Sequence, residues 1–217
     1  MPEQQIPRTS MSAEEIEAAH LTAPPKLNGQ VTVRDYDPQW PSVFERESAR
    51  MHERLAHIEH RIEHVGSTSV PDLPAKPVID ILLTVPDSAA EASYLSALEE
   101  LGFELVIREP DWYEHRVLRK YDLDPSAETA NLHVLSAGCP EADRMLLFRD
   151  RLRHHSDDRK LYGDTKRLLA QQTWEYVQNY ADAKSEVVAD IMERAMAENF
   201  TDAGPWPLHT ASCPTPT

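Results

Sequence analysis

Asp80 is the first residue whose type asks for a chemical reason. It lies near the start of Val78-Ile79-Asp80-Ile81-Leu82-Leu83-Thr84-Val85, the most strand-like run in the chain. A carboxylate there loses its hydration unless it is hydrogen-bonded, paired or holding a cation, so it marks a structural acceptor or part of a site. Upstream, Gly66-Ser67-Thr68-Ser69 offers a permissive backbone and three hydroxyls, a turn able to bring N–H groups close to an anion. Further on, His133 follows Asn131 by two residues, so on a strand both side chains share one face while Leu132 and Val134 enter the other layer. In that position His133 serves either as general base, phosphate contact or metal ligand, or as a histidine bonded within the sheet.

Three groups of cations are available to phosphate: Lys76 after the turn; Arg116, Arg119 and Lys120 on a predicted strand; and Arg149 with Arg153, one helical turn apart. Each is more often a solvated surface charge than a phosphate contact, by the preference of Lys and Arg for water. Arg119 and Lys120 are adjacent on a strand and face opposite sides, so at most one enters a given cleft. His52, His57, His60 and His64 cluster in sequence, but a helix ending near Arg61 breaks the spacing that convergent metal ligands need. Only His64, beside the turn, stays close to the candidate site. A serine nucleophile is disfavoured, because Gly66-Ser67-Thr68-Ser69-Val70 lacks the second glycine of a nucleophile elbow. Neither a Walker loop nor a Gly-x-Gly-x-x-Gly fingerprint occurs.

The elements that would position these residues follow from periodicity and punctuation. Residues 1–30 read as a flexible extension, with capping-box spacing at Ser12-Ala13-Glu14-Glu15 for a short helix through Leu21. A strand is expected over Val31–Tyr36, then a helix capped by Ser42 with Phe44, Met51, Leu55, Ile58 and Ile62 as its apolar positions. After Val85, Ala89–Leu101 reads as a helix closed by Gly102. Strands follow over 103–108, 114–121 and 132–136, the last two joined by a long polar loop. Helices are expected over 141–155, 157–171 and 172–198. The pattern is α+β, a mixed sheet flanked by helices with a helical C-terminal section, over a domain spanning 31–198 and followed by a disordered Pro-rich tail, 199–217.

Composition narrows the class. A net charge of −15 argues against a dedicated nucleic-acid binder, which needs a concentrated basic surface. Cys139 and Cys213 form neither a disulfide framework nor a zinc signature. No apolar run approaches the roughly 18 residues of a membrane span, and the N-terminus lacks a signal-peptide pattern, so a cytoplasmic location is expected.

The motif His64-Val65-Gly66-Ser67-Thr68-Ser69-Val70-Pro71, followed by Ala75-Lys76-Pro77-Val78-Ile79-Asp80-Ile81, resembles the signature of the GrpB family, a group related to the polymerase-β-type nucleotidyltransferases. Tyr36-Asp37-Pro38-Gln39-Trp40-Pro41, Asn131-Leu132-His133-Val134, Phe148-Arg149-Asp150 and Tyr180-Ala181-Asp182-Ala183-Lys184 fall in the family's order, and the resemblance covers residues 31–197. It implies a nucleotidyltransferase-like fold that binds a nucleoside triphosphate with Mg²⁺. The reaction it implies is transfer of a nucleotidyl or phosphoryl group to a small-molecule acceptor, or activation of that acceptor for ligation. Under it Gly66, Ser67, Thr68, Ser69, Lys76 and Arg119 meet the nucleotide phosphates, Asp80 holds the metal and His133 assists proton transfer. Three features depart from the pattern: Leu82 stands where the wider group carries a second metal-binding carboxylate, Asp72 stands where a glycine is expected, and Asn131, where the family is often basic or His-rich, can hydrogen-bond but cannot titrate. Leu82 also admits a second reading, a catalytically degenerate protein that senses a nucleotide or other anion.

Overall fold

The computed structural model describes residues 12–21, 24 and 26–202. Five strands, β1 (Arg61–Val65), β2 (Val78–Val85), β3 (Glu104–Glu109), β4 (His115–Asp124) and β5 (Ala127–Ser136), form one mixed sheet of order β1-β2-β5-β4-β3. β2 and β5 are parallel, and every other neighbouring pair is antiparallel. Around the sheet lie α1 (Ala13–Ala19), α2 (Trp40–Arg54), α3 (Leu95–Glu99), α4 (Pro140–His154), α5 (Ser156–Ala170), α6 (Val177–Asp182) and α7 (Ser185–Asp202). This is the expected α+β arrangement with a helical C-terminal section. No described helix is long and apolar enough to cross a membrane.

Strand alternation divides the two faces. Ile79, Ile81, Leu132 and Val134 pack with Trp40 and Met51 of α2 in the main core. Asp80, Leu82, Asn131 and His133 therefore share the opposite face, as the spacing predicts. Part of that face is closed by α4, where Val65, Leu82 and Leu135 pack on Cys139 and Ala142. The segment after the Gly-Ser turn is anchored separately, with Val70 and Leu73 buried against Leu152, Tyr162 and Ile191 of α4, α5 and α7.

Several expected elements are redrawn, each for a local reason. Val31–Tyr36 is not a strand; it makes a single antiparallel bridge, Arg34 to Ala75. α2 begins at Trp40 rather than after Ser42, with Asp37 accepting the Gln39 N–H at 2.9 Å, and it ends before Ile58. Ile62 belongs to β1. The helix expected over 89–101 is reduced to a 3-10 turn, Glu91–Ser93, and the short α3. Its first turn is diverted because Ser88 is tied to Ser136 and Glu91 is drawn to Arg108 and Arg116. β4 and β5 run much further than expected and close through Pro125-Ser126. Asp124 accepts both the Ser126 N–H and hydroxyl, and the Trp40 indole donates to the Ser126 carbonyl. The helix expected over 172–198 breaks between α6 and α7, where the Lys184 ammonium donates to the Tyr180 carbonyl at 2.8 Å.

The described part of the N-terminal extension is docked on the domain. α1 carries the reciprocal Ser12–Glu15 capping box, buries Ile16, and is followed by a His20–Ile107 bridge along the outer edge of β3. That contact covers part of an otherwise exposed sheet edge. Leu27 and Gly29 then bond to Glu175 and Trp174 ahead of α6. α7 carries the chain to Asp202, past the expected start of the tail at 199; residues 203–217 lie outside the described residues.

Candidate functional site

Register places Asp80 of β2 opposite Asn131 of β5, and Asn131 opposite Arg119 of β4. The three side chains form a hydrogen-bonded row across the sheet: Arg119 Nε donates to Asn131 Oδ1 at 2.9 Å, and Asn131 Nδ2 donates to Asp80 Oδ1 at 3.1 Å. Asn131 thus fixes one carboxylate oxygen. The other, Oδ2, faces Gly66, whose φ of +67° needs a glycine and whose missing side chain makes the approach possible. A Cβ added there would lie 2.7 Å from Asp80 Cβ and closer still to Oδ2.

The turn above Asp80 divides its hydroxyls between two roles. Thr68 is buried; its hydroxyl donates to the Val78 carbonyl at 3.0 Å and accepts from the His64 ring at 3.1 Å. Ser69 donates back to the Gly66 carbonyl at 2.6 Å, while Arg153 donates to the Ser69 carbonyl. Those two hydroxyls hold the turn's shape. Ser67 instead lies beside Tyr162 of α5, where its hydrogen bond opposes the rise that burial imposes on that phenol's pKa. Asp72 adopts φ +65°, so the left-handed conformation of a glycine is kept by one of the residues that tolerate it. It lines a separate cleft with Tyr36, His64, Arg153 and Arg159.

His64 is a structural residue. Its ring stacks on Phe44 at 4.6 Å, and burial, helped by Arg153 and Arg149, lowers its pKa to about 3. It is therefore neutral, with Nε2–H donating to Thr68. His52 and His60 bond to each other at 2.8 Å away from this turn.

Of the candidate cations, Arg116 pairs with Glu91 and Glu114, Lys120 with Glu47, and Arg149 with Glu63 and Asp150. Lys76 and Arg119 remain with Asp80. The helical section adds two cations that strand and turn motifs do not announce, Lys166 of α5 and Lys184 between α6 and α7. Both are buried, at 3% and 9% exposure, and both act on Asp80 electrostatically. Lys184 Nζ lies 3.8 Å from the Tyr180 ring centroid, Lys76 Nζ 5.9 Å from the same ring, and Lys166 Nζ 5.1 Å from that of Tyr162. The sequence signal was present: Tyr162/Lys166, both buried on α5, and Tyr180/Lys184, from α6 to the junction after it, are each four residues apart.

Burial dominates the titration of this cluster. It raises the Asp80 carboxyl, against the Asn131 hydrogen bond and the charges of Lys76, Lys166 and Arg119. It lowers Lys76 despite Asp80, lowers Lys166 strongly with Lys184 adding to the effect, and brings Lys184 down to about 7 with Lys76 adding. In this cluster, half-buried at Asp80 and Lys76 and buried at Lys166 and Lys184, cations outnumber the carboxylate.

A second row crosses the same face, Leu82 opposite His133 and His133 opposite Val117. His133 Nδ1 lies 3.1 Å from His115 Nε2, and His115 Nδ1 lies 2.7 Å from Glu109 Oε2, with the two rings nearly parallel. With Glu109 ionised, His115 donates to it and accepts from His133 Nδ1–H. That tautomer leaves the lone pair of His133 on Nε2. His115 and Glu109 were not identified from sequence, because only strand register brings them beside His133.

The metal question turns on this donor set. Leu82 is 1% exposed and packed in an apolar cluster, so it leaves no room for a second carboxylate ligand on β2. Among the described residues no group of three or more His, Cys, Asp or Glu converges as a metal site. The residues do not fit a two-ion centre. A single Mg²⁺ held by Asp80 Oδ2 and chiefly by ligand phosphates and water does fit, since this ion commonly takes only one or two protein carboxylates.

Comparison with known proteins agrees with the motif and its setting. The chain is 50% identical to a UPF0157 protein of Halalkalibacterium halodurans over 88% of its own length and 94% of the relative's, and 40% identical to a UPF0157 protein of Streptomyces coelicolor over 77% and 86%. The crystal structure of the conserved protein GrpB from Enterococcus faecalis is similar, with a TM-score of 0.67 at 30% identity, covering 78% of this chain and 99% of that one. The family model described as GrpB protein matches residues 30–194, and the chain belongs to the GrpB family.

Proposed function

We propose that the Asp80 pocket binds a nucleoside triphosphate with Mg²⁺ and serves transfer of a nucleotidyl or phosphoryl group to a small-molecule acceptor, or activation of that acceptor for ligation. The observation that carries this reading is the pairing of Gly66 with Asp80: a turn pressed onto a carboxylate beside Lys76 and Arg119 suits a phosphate ligand accompanied by a cation. The resemblance of the signature to the polymerase-β-type nucleotidyltransferases supports the same reaction class. Bound Mg²⁺ would supply charge neutralisation and alignment of the phosphates. Of the protein's own groups, Gly66 and Ser67 meet the phosphate end. Lys76 and Arg119 balance its charge, and His133, oriented by His115 and Glu109, takes the acceptor's proton at Nε2.

Leu82 favours a second reading, in which the same pocket binds a nucleotide or other anion without turnover, because the metal-binding pair of the wider group is incomplete. One experiment separates the two. The thermal midpoint is followed with ATP, GTP, CTP, UTP and inorganic triphosphate, with and without Mg²⁺, and product formation is assayed in parallel. A nucleotide-selective shift with Mg²⁺-dependent turnover, the turnover lost in Asp80→Asn, is the outcome expected for the enzyme. Binding without turnover, retained in Asp80→Asn, selects the sensor, and no shift with any nucleotide overturns both.

A further inference from the structure

Two buried side-chain polar atoms have no hydrogen-bond partner among the described residues, and both belong to this pocket: Lys166 Nζ and the Tyr180 hydroxyl. A buried amine without a partner is costly, and a fold that keeps one has a use for it or a ligand to satisfy it. Around it stand Lys76 from the segment before β2 and Lys184 from the α6–α7 junction, each over an aromatic ring. The carboxylates acting on these three lysines are Asp80, shared by all, and Asp182, near Lys184; Arg119 and Arg167 add further positive charge. Ser67, Tyr162 and Tyr180 complete the lining with hydroxyls.

We propose that Lys76, Lys166 and Lys184 form a clamp for a polyphosphate chain that works without a divalent metal, supplying the charge neutralisation for which Leu82 leaves no second carboxylate. This deepens the preceding reading and rests on it in taking the pocket as a phosphate site. Three ammonium groups on three separate segments suit a chain of linked phosphates better than one small anion, because each can meet a different phosphoryl unit. The lone Tyr180 hydroxyl gains an oxygen acceptor when that chain is present. Magnesium is then needed for transfer but not for binding.

The test uses the full chain in EDTA, titrated with sodium tripolyphosphate and, separately, with orthophosphate. Tripolyphosphate should bind and raise the thermal midpoint, and orthophosphate should do so far less. Lys166→Met should raise the midpoint of the ligand-free protein, by removing an unsatisfied buried polar group, and weaken tripolyphosphate by roughly tenfold or more. Lys184→Met should weaken it similarly, which keeps the test decisive if one variant fails to fold. Asp80→Asn should tighten tripolyphosphate in EDTA, since it removes a neighbouring negative charge. The clamp is overturned if tripolyphosphate binds only with Mg²⁺, or if folded lysine variants bind it like the parent. Mg²⁺-dependent ATP binding with nothing bound in EDTA would reject the clamp and leave the nucleotide reading intact. Tripolyphosphate binding with no nucleotide selectivity or turnover would do the reverse.

Discussion

His64 shows how a residue next to a site can be part of its frame rather than its chemistry. Stacked on Phe44 and donating to Thr68, it holds the turn that presents Gly66, and its folded pKa is lowered from 6.5 to about 3 by burial first, then by Arg153 and Arg149. Between those two values the unfolded chain binds a proton that the folded chain refuses, so stability rises with pH across that window and is lost as pH falls below about 6.5. The loss approaches roughly 1.4 kcal/mol per pH unit, so about 2–3 kcal/mol between pH 7 and pH 4.5. His64→Gln, which keeps a donor toward Thr68 but does not titrate, should lose that much less than the parent over the same interval in urea denaturation. Equal losses would show that His64 protonation is not a source of acid sensitivity. At this scale the sequence was readable where a residue contradicted its surroundings. Asp80 in an apolar strand, Gly66 in the turn and the Asn131/His133 pair all fall on the same side of the sheet. Thr68 and Ser69 were misleading, because a hydroxyl's spacing says nothing about whether the loop itself uses it.

The helices teach the converse lesson. α5 turns Leu161 and Leu168 outward, at 44% and 62% exposure, and Asp158 and Lys166 inward. A stripe of apolar residues is therefore a poor guide to its buried face. Asp158 explains part of the inversion. It accepts from Arg151 of α4 at 2.6 Å and from Arg194 of α7 at 2.7 Å, joining three helices through one carboxylate. Burial is the largest influence on that carboxyl and raises it, yet Arg194 and Arg151 together hold it below the usual range. Asp158→Asn should cost about 3 kcal/mol in chemical denaturation, because Arg151, only 8% exposed on its side chain, is left with an incompletely compensated buried charge. A loss below about 1 kcal/mol would place the cohesion of these helices in the apolar contacts of Leu152, Tyr162 and Ile191 instead. The same reasoning accounts for the broken helix at 183–184 and the shortened one after Val85. Polar partners, the local contact of Lys184 with the Tyr180 carbonyl and the long-range pairs of Arg108 and Arg116 with Glu91, accompany the departures of segments whose local periodicity was helical.

At the scale of the whole molecule, the site exists because two sequence-distant halves close on each other. The sheet contributes Asp80, Asn131, Arg119 and the Gly66 turn, while the helical section contributes Tyr162, Lys166, Tyr180 and Lys184. The sheet half was legible as a motif with fixed spacing. The convergence was not, since local periodicity does not reveal which helix face will meet a given strand. The union is held by apolar packing of Val70 and Leu73 against α4, α5 and α7, and by a glycine, Gly163, whose added Cβ would approach Pro74 to 3.1 Å. Before a ligand arrives, burial and the neighbouring lysines push these amines toward the neutral form, so they add little attraction between the halves; an anion between them favours their charged form and draws the halves together. Tripolyphosphate in EDTA should therefore slow amide hydrogen exchange together in two places far apart in sequence, residues 66–70 of the turn and residues 177–188 across the α6–α7 junction. α1, which docks on the opposite edge of the sheet from β1, should exchange as before. Protection confined to the turn would mean that phosphate is held by the sheet half alone, with Lys166 and Lys184 uninvolved. Joint protection would show that the anion is what makes the two halves one site.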